Sequence, residues 1–115
     1  MASLRMEGPF DYSRTSVDKH VKVGRPGNFA LGERNERGGL TIGYVGRSDT
    51  DLNGELKAHI GEKPFPYFKF GLTLSAGEAY RRHCKNFHDF SMAPKQPHPE
   101  KPTTNAKVVC PVCGV

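Results

Sequence analysis

The stretch GNFALGERNERGGLTIGYVG, residues 27–46, decides the fold of this chain. Residues 27–33 alternate weakly between apolar and polar side chains, and residues 40–46 are rich in β-branched and aromatic side chains. Both patterns are typical of strands. Residues 34–39 combine polar side chains with two glycines, which is typical of a hairpin loop. We therefore predict an antiparallel hairpin at the centre of the fold.

A helix and a third strand are predicted after the hairpin. Asp49, Thr50 and Asp51 supply N-cap chemistry, and apolar residues at helical spacing follow them as far as Gly61. Residues 67–74, YFKFGLTL, then predict a strand with Phe68 and Phe70 on its buried side. Because prolines stand just before this strand, we expect it to begin at a sheet edge.

A second, strongly amphipathic helix is predicted over residues 75–90. Ser75 and Glu78 form a capping box, in which the serine oxygen accepts from the N3 amide. One face of the helix is apolar and the other is charged. The order strand, strand, helix, strand, helix predicts a small α+β domain with a three-stranded antiparallel sheet flanked by helices.

The composition indicates one small domain that needs a metal site or another cross-link for stability. Only 36% of the 115 residues are hydrophobic, below the ~45–50% usual for globular domains. Residues 1–23 show no clear period and are predicted as an N-terminal arm. Residues 24–90 form the domain, and residues 91–115 form a proline-rich loop and a metal-binding tail packed on it. A metal site would compensate for the small core.

Charge and cysteine content restrict the class of protein. Seventeen Lys and Arg against twelve Asp and Glu give a net charge of +5, which permits nucleic-acid binding but is equally consistent with a solvated surface. No apolar stretch approaches the ~20 residues that cross a bilayer. We expect no membrane association and a cytoplasmic protein, whose three cysteines remain reduced.

The tail carries the most specific motif in the chain. Cys110-Pro-Val-Cys113-Gly is a tight knuckle of the kind that supplies two of four zinc ligands. Cys84 is the one other cysteine, and His88 follows it by four residues, on the same helix face. We predict a structural Zn²⁺ site made of Cys84, His88, Cys110 and Cys113.

Other interpretations of these residues stay open. His98 or His83 could replace His88 as the nitrogen ligand. Cys84 and His88 could simply pack in the core. The knuckle could also be a redox pair or half of a four-cysteine site between two chains.

The order of elements, with Gly27-Asn28-Phe29 on the first strand and Tyr44-Val45-Gly46 on the second, resembles the GIY-YIG nuclease superfamily over residues 27–90. His59 stands at the end of the first helix, where many members carry a histidine. The resemblance implies a tyrosine hydroxyl that helps to activate a metal-bound water, and a first-helix arginine that stabilises the phosphate. It also implies a second-helix glutamate that holds one divalent cation, Mg²⁺ or Mn²⁺.

The chain departs from that pattern at three positions. Phe29 stands in place of the first tyrosine, Glu55 in place of the arginine, and His83 in place of the glutamate. Arg47, directly after the second motif, could reach the same phosphate, and His83 could act as a base or ligate a softer metal. The candidate catalytic residues are therefore Tyr44, Arg47, His59 and His83.

These residues predict a zinc protein that binds nucleic acid, DNA rather than RNA, as a monomer or weak dimer, with its catalytic residues largely substituted. The nucleic-acid contacts are expected from basic side chains at the strand end and on the helices: Arg47, His59, Arg81, Arg82 and Lys85. Two alternatives remain. One is an active, divalent-metal-dependent endonuclease with a rebuilt site, and the other is a protein-interaction module.

Overall fold

The computed structural model describes residues 6–62, 65–90, 96, 98–102, 109–112 and 114. Four strands form one antiparallel sheet in the order β1-β4-β2-β3, and three helices pack on it. The elements along the chain are β1 Glu7–Asp11, α1 Arg14–His20, β2 Gly27–Arg34, β3 Leu40–Ser48, α2 Leu52–Ala58, β4 Tyr67–Leu72 and α3 Ala76–Asp89. The protein is a small α+β fold, as predicted.

The predicted hairpin is confirmed. Strands β2 and β3 pair from Gly27↔Ser48 to Arg34↔Leu40, with a register shift between Leu31 and Gly32. A Cβ atom on Gly32 would lie 1.9 Å from the backbone oxygen of Thr41. The irregularity therefore requires glycine at this position.

The sheet has four strands among the described residues, not three, because the segment predicted as an arm supplies β1. Strand β1 pairs with β4, which in turn pairs with β2. Strand β4 therefore lies inside the sheet, and the expectation that it begins at an edge is wrong. Helix α1 also comes from this segment, and its Val17 is fully buried. Residues of the predicted arm are thus part of the core.

Two apolar clusters lie on opposite faces of the sheet, because successive strand residues point to opposite sides. Phe29 and Leu31 of β2 pack with Val17, Leu52 and the buried phenylalanines of β4. The intervening Ala30 packs with Val45 and Phe87. Helices α1 and α2 therefore cover one face, and α3 covers the other.

Helix α3 begins at the predicted cap. Ser75 Oγ accepts a hydrogen bond from the Glu78 amide at 3.1 Å, and Glu78 Oε1 accepts from the Leu74 amide at 3.1 Å. The buried Asn28 Nδ2 donates to Ala79 O at 2.8 Å and ties the helix to β2. In the described ranges, no helix is both long enough and apolar enough to span a membrane.

Candidate metal centre and arginine cleft

Two thiols and one imidazole meet where residues near the C-terminus contact helix α3. The ligand atoms of Cys84, His98 and Cys110 all lie within 4.8 Å of one another. Around a tetrahedral Zn²⁺ ion, ligands at about 2.0–2.3 Å would be separated by about 3.3–3.8 Å. Cys84 and Cys110 are buried and carry free thiols rather than a disulfide. The group could hold a metal ion.

The imidazole that meets the two thiols in this group is that of His98, one of the alternatives to the predicted His88. The ring of His88 packs on Phe87 at 5.2 Å and on His98 at 5.3 Å between centroids. His83, the other alternative, faces Arg47 instead. His98 Nδ1 lies 3.0 Å from Pro99 O, so a proton on Nδ1 makes Nε2 the nitrogen that binds an ion. Cys113 lies outside the described residues.

The protonation of Cys84 depends on a cation. Burial above all, with a smaller contribution from the neighbouring Cys110, raises the pKa of the Cys84 thiol to about 11, although Tyr80 and Arg47 act in the opposite direction. Without an ion the thiol therefore stays protonated at neutral pH. A metal ion that binds there displaces the proton, so the affinity for metal will rise with pH.

An open cleft of about 570 Å³ lies beside the metal group, at the outer edge of β3. Residues of β2, β3, α2 and α3 line it together with four residues of the C-terminal segment: Phe29, Tyr44, Gly46, Arg47, Ser48, Asp49, Glu55, His83, Gln96, His98, Pro99 and Glu100. Three of the four predicted catalytic residues, Tyr44, Arg47 and His83, therefore share one cleft. His98 belongs both to the cleft and to the metal group.

Arg47 is held in the cleft from several sides. Its Nε donates to Asp49 Oδ1 at 2.7 Å, its Nη1 lies 3.0 Å from His83 Nδ1, and its Nη2 donates to Glu100 O. The guanidinium carbon lies 5.2 Å from the centroid of the Tyr80 ring. The side chain is only 10% exposed. This geometry fixes the guanidinium before any ligand arrives.

The protonation of His83 matches its role as an acceptor. Burial, and then the positive charge of Arg47, lower the pKa of His83 to about 3. The imidazole is therefore neutral at pH 7, and its Nδ1 accepts the hydrogen bond from Arg47 Nη1.

The fourth predicted catalytic residue, His59, lies behind the cleft wall. Its Nε2 lies 2.8 Å from Glu55 Oε2, so the two residues pair one helical turn apart. The His59 ring lies 6.0 Å from the Tyr44 ring and 5.9 Å from the Phe29 ring. Burial, and then Glu55, raise the pKa of Tyr44 above its ordinary value. The phenol is therefore protonated at neutral pH.

The other predicted nucleic-acid contacts lie outside the cleft. Arg81 and Arg82 are exposed on α3, and neither lines the cleft. Lys85 is exposed and lies 3.6 Å from Asp89. The structure thus separates Arg47 from the basic residues of the helix surface.

Three cleft residues were missed by sequence reasoning. Asp49 was assigned to helix capping, yet it pairs with Arg47, and the N-cap residue is Asp51. Gln96 and Glu100 carried no signal, because neither belongs to a periodic segment or a motif. Asp49 could have been found by its position two residues after Arg47, at the end of the same strand.

Comparison with protein-family models, with curated proteins and with solved structures gave no match to this chain. The resemblance to the GIY-YIG nucleases therefore rests on the residues and the order of elements quoted above.

Proposed function

We propose that this chain is a zinc-stapled nucleic-acid-binding domain of the GIY-YIG type that has lost the groups for cleavage. The observation that carries the proposal is the fixed guanidinium of Arg47 in an open cleft beside the metal group. The DNA backbone is the expected ligand, and one of its phosphates occupies the cleft.

The chemistry of Arg47 supports a phosphate ligand. A guanidinium carries five N–H donors. Three of them have partners among the described residues, at Asp49, His83 and Glu100, which leaves two for a ligand. Charged N–H donors form strong hydrogen bonds with phosphate oxygens, and a guanidinium that is already fixed loses little entropy when it binds.

The remaining charge supports attraction of a polyanion. Arg81 and Arg82 are exposed on the helix that also carries His83 into the cleft. Their charges are part of the net charge of +5 and favour the phosphate backbone without reading its sequence. We assign them to non-specific contacts and Arg47 to the specific phosphate contact.

The cleft residues favour binding without hydrolysis. Phe29 has no hydroxyl, and the raised pKa of Tyr44 keeps its phenol protonated. Glu55 stands where the resemblance calls for an arginine, and its carboxylate repels phosphate. His83 stands where a metal-binding carboxylate is needed, and its Nδ1 already accepts from Arg47. Loss of one transition-state contact commonly costs ~10²–10³ in rate.

We further propose that the metal is Zn²⁺ and that Cys113 is its fourth ligand. Two thiols and an imidazole are the ligands that zinc prefers, and the second cysteine of the knuckle would complete a closed Cys₃His site. Such a site has a structural role. Metal analysis should find one zinc ion per chain, and Cys113→Ser should bind it much more weakly. A Cys113→Ser variant that remains fully loaded would contradict this ligand set.

Binding is tested by fluorescence anisotropy with labelled single-stranded and duplex DNA and RNA at three salt concentrations. We expect affinity that falls with salt. Arg47→Gln should weaken binding at least tenfold, since the charged contact with phosphate is lost. Arg37→Gln removes the same charge from the exposed hairpin loop and should stay within about twofold, in keeping with a lone distant surface charge. Absence of binding even at low salt would leave only the protein-interaction module.

Cleavage is tested on plasmid and branched DNA with Mg²⁺ or Mn²⁺. We expect no nicking above the buffer control. Metal-dependent nicking that disappears in Tyr44→Phe would show that the site is an active endonuclease and would overturn this part of the proposal.

A further inference from the structure

The metal group and the arginine cleft share one short stretch of chain. His98 supplies a metal-ligand atom and also lines the cleft. Two residues later, the backbone carbonyl of Glu100 accepts from Arg47 Nη2. Pro99 and Pro102 of the same stretch are buried. Any movement of His98 is therefore transmitted directly to a partner of Arg47.

The same segment also closes the edge of the sheet. Gln96 Oε1 accepts from the Val45 amide at 3.1 Å, and Gln96 Nε2 donates to Val45 O at 2.9 Å. One side-chain amide thus pairs with both backbone groups of an edge-strand residue, as a neighbouring strand would. Val45 lies two residues before Arg47 in β3, and Gln96 lies two residues before His98.

A second route connects the two sites through Tyr80. The Tyr80 ring is fully buried in a cluster with Cys84 and Cys110, and the guanidinium of Arg47 lies over the ring. The two cysteines of the metal group therefore support the surface on which Arg47 rests.

The C-terminal segment has little regular structure of its own. None of its described residues belongs to a helix or strand. Since regular backbone pairing does not hold these residues, their position depends on side-chain contacts and on any ion that Cys84, His98 and Cys110 bind.

We infer that a soft divalent ion bound by Cys84, His98 and Cys110 positions Arg47, so that loading of the metal site assembles the arginine cleft. The ion fixes His98, and His98 fixes residues 98–102 and the neighbouring Gln96. These residues close the wall of the cleft and orient the guanidinium. The part of this inference that concerns the ligand of the cleft rests on the proposed function. By reciprocity, a ligand that requires the assembled cleft will raise the affinity for the ion by the same factor.

The test is residue-resolved amide hydrogen exchange on the full chain, loaded with Zn²⁺ and then stripped by a chelator. The Val45 amide reports on the segment, because its acceptor is Gln96. The Leu31 amide is the control, since β2 lies between β3 and β4 at this residue. On stripping we expect Val45 to exchange at least tenfold faster and Leu31 to change less than threefold. Restoring Zn²⁺ should reverse the change.

Two further measurements separate this inference from the proposed function. Gln96→Ala should keep one zinc per chain and yet speed exchange at Val45. This result would show that the Val45 amide is protected by its hydrogen bond with Gln96 and not by the metal ion itself. Oligonucleotide affinity should fall at least tenfold on stripping. If the loaded protein binds no nucleic acid, the proposed function fails while the exchange experiment still decides the inference. Unchanged exchange at Val45, or equal loss of protection at Leu31, would overturn it.

Discussion

Arg47→Lys gives the sharpest test of how the cleft is built. Lysine keeps the positive charge, but its donors all lie on one atom. The guanidinium has partners in three directions, at Asp49, His83 and Glu100. A lysine ammonium that stays near Asp49 leaves the other two acceptors without their donor.

The magnitude follows from those two lost contacts. Hydrogen bonds that involve a charged group contribute about 1.5–3 kcal/mol each, and the Glu100 carbonyl can recover part of its share from water. We therefore expect a loss of about 2–4 kcal/mol in the free energy of unfolding. For a domain of this size that corresponds to a fall of roughly 8–16 °C in Tm.

Thermal and urea unfolding of the zinc-loaded protein, followed by circular dichroism, measure this loss. Arg37→Lys is the matched control in an exposed loop, and it should remain within about 0.5 kcal/mol of the parent. The reasoning is refuted if Arg47→Lys is as stable as Arg37→Lys, because the contacts in the cleft would then contribute nothing.

Three further predictions concern Gly46, the Tyr12 hydrogen bond and the half-buried tyrosines. A Cβ atom on Gly46 would lie 2.4 Å from Phe29 Cζ, so Gly46→Ala should destabilise the fold by about 1–3 kcal/mol in urea unfolding; a parent-like midpoint would contradict this. Tyr12 donates its hydroxyl to Leu56 O at 2.5 Å, so Tyr12→Phe should cost about 1 kcal/mol by the same assay. Burial raises the pKa of both Tyr12 and Tyr44 above 10.0, so the folded chain keeps protons that the unfolded chain loses. Stability should therefore fall as pH rises above 10, and alkaline titration of phenolate absorbance should show at least two tyrosines that ionise late. An ordinary titration of all four tyrosines would contradict it.

The sequence was sufficient for the elements with a strong local signal. The β2–β3 hairpin has β-branched and aromatic residues around a glycine-rich loop, and α3 has a cap and one apolar face. Strand β1 and helix α1 are not predicted, because their sequences lack such a local signal. β1 has no fully buried residue, and α1 has Val17 alone. Elements this short are stabilised by tertiary contacts, which periodicity does not reveal.

The sequence identifies a residue of the candidate site where the order of motifs along the chain determines the position of that residue in the fold. Tyr44, Arg47 and His83 were nominated from the sequence, and they line one cleft. The metal ligand was harder to choose, because helical spacing favours His88 next to Cys84. His98 lies outside any periodic segment, and only the path of the chain brings its ring to the two thiols.

The contacts that Glu100 and Gln96 make with β3 could not be predicted for a similar reason. The Glu100 contact uses a backbone carbonyl, which carries no residue-specific signal in a sequence. The Gln96 contact joins residues 51 positions apart. Contacts of both kinds follow from tertiary structure alone.

The most direct test of the account is the metal content of a matched pair of variants, His98→Ala and His88→Ala, purified in the same way. The account predicts that His88→Ala retains one zinc ion per chain, because its ring packs beside His98 and does not belong to the group of three ligand atoms. His98→Ala should lose most of the zinc, since it removes the nitrogen ligand. Full loading of His98→Ala together with loss of zinc from His88→Ala would contradict the account.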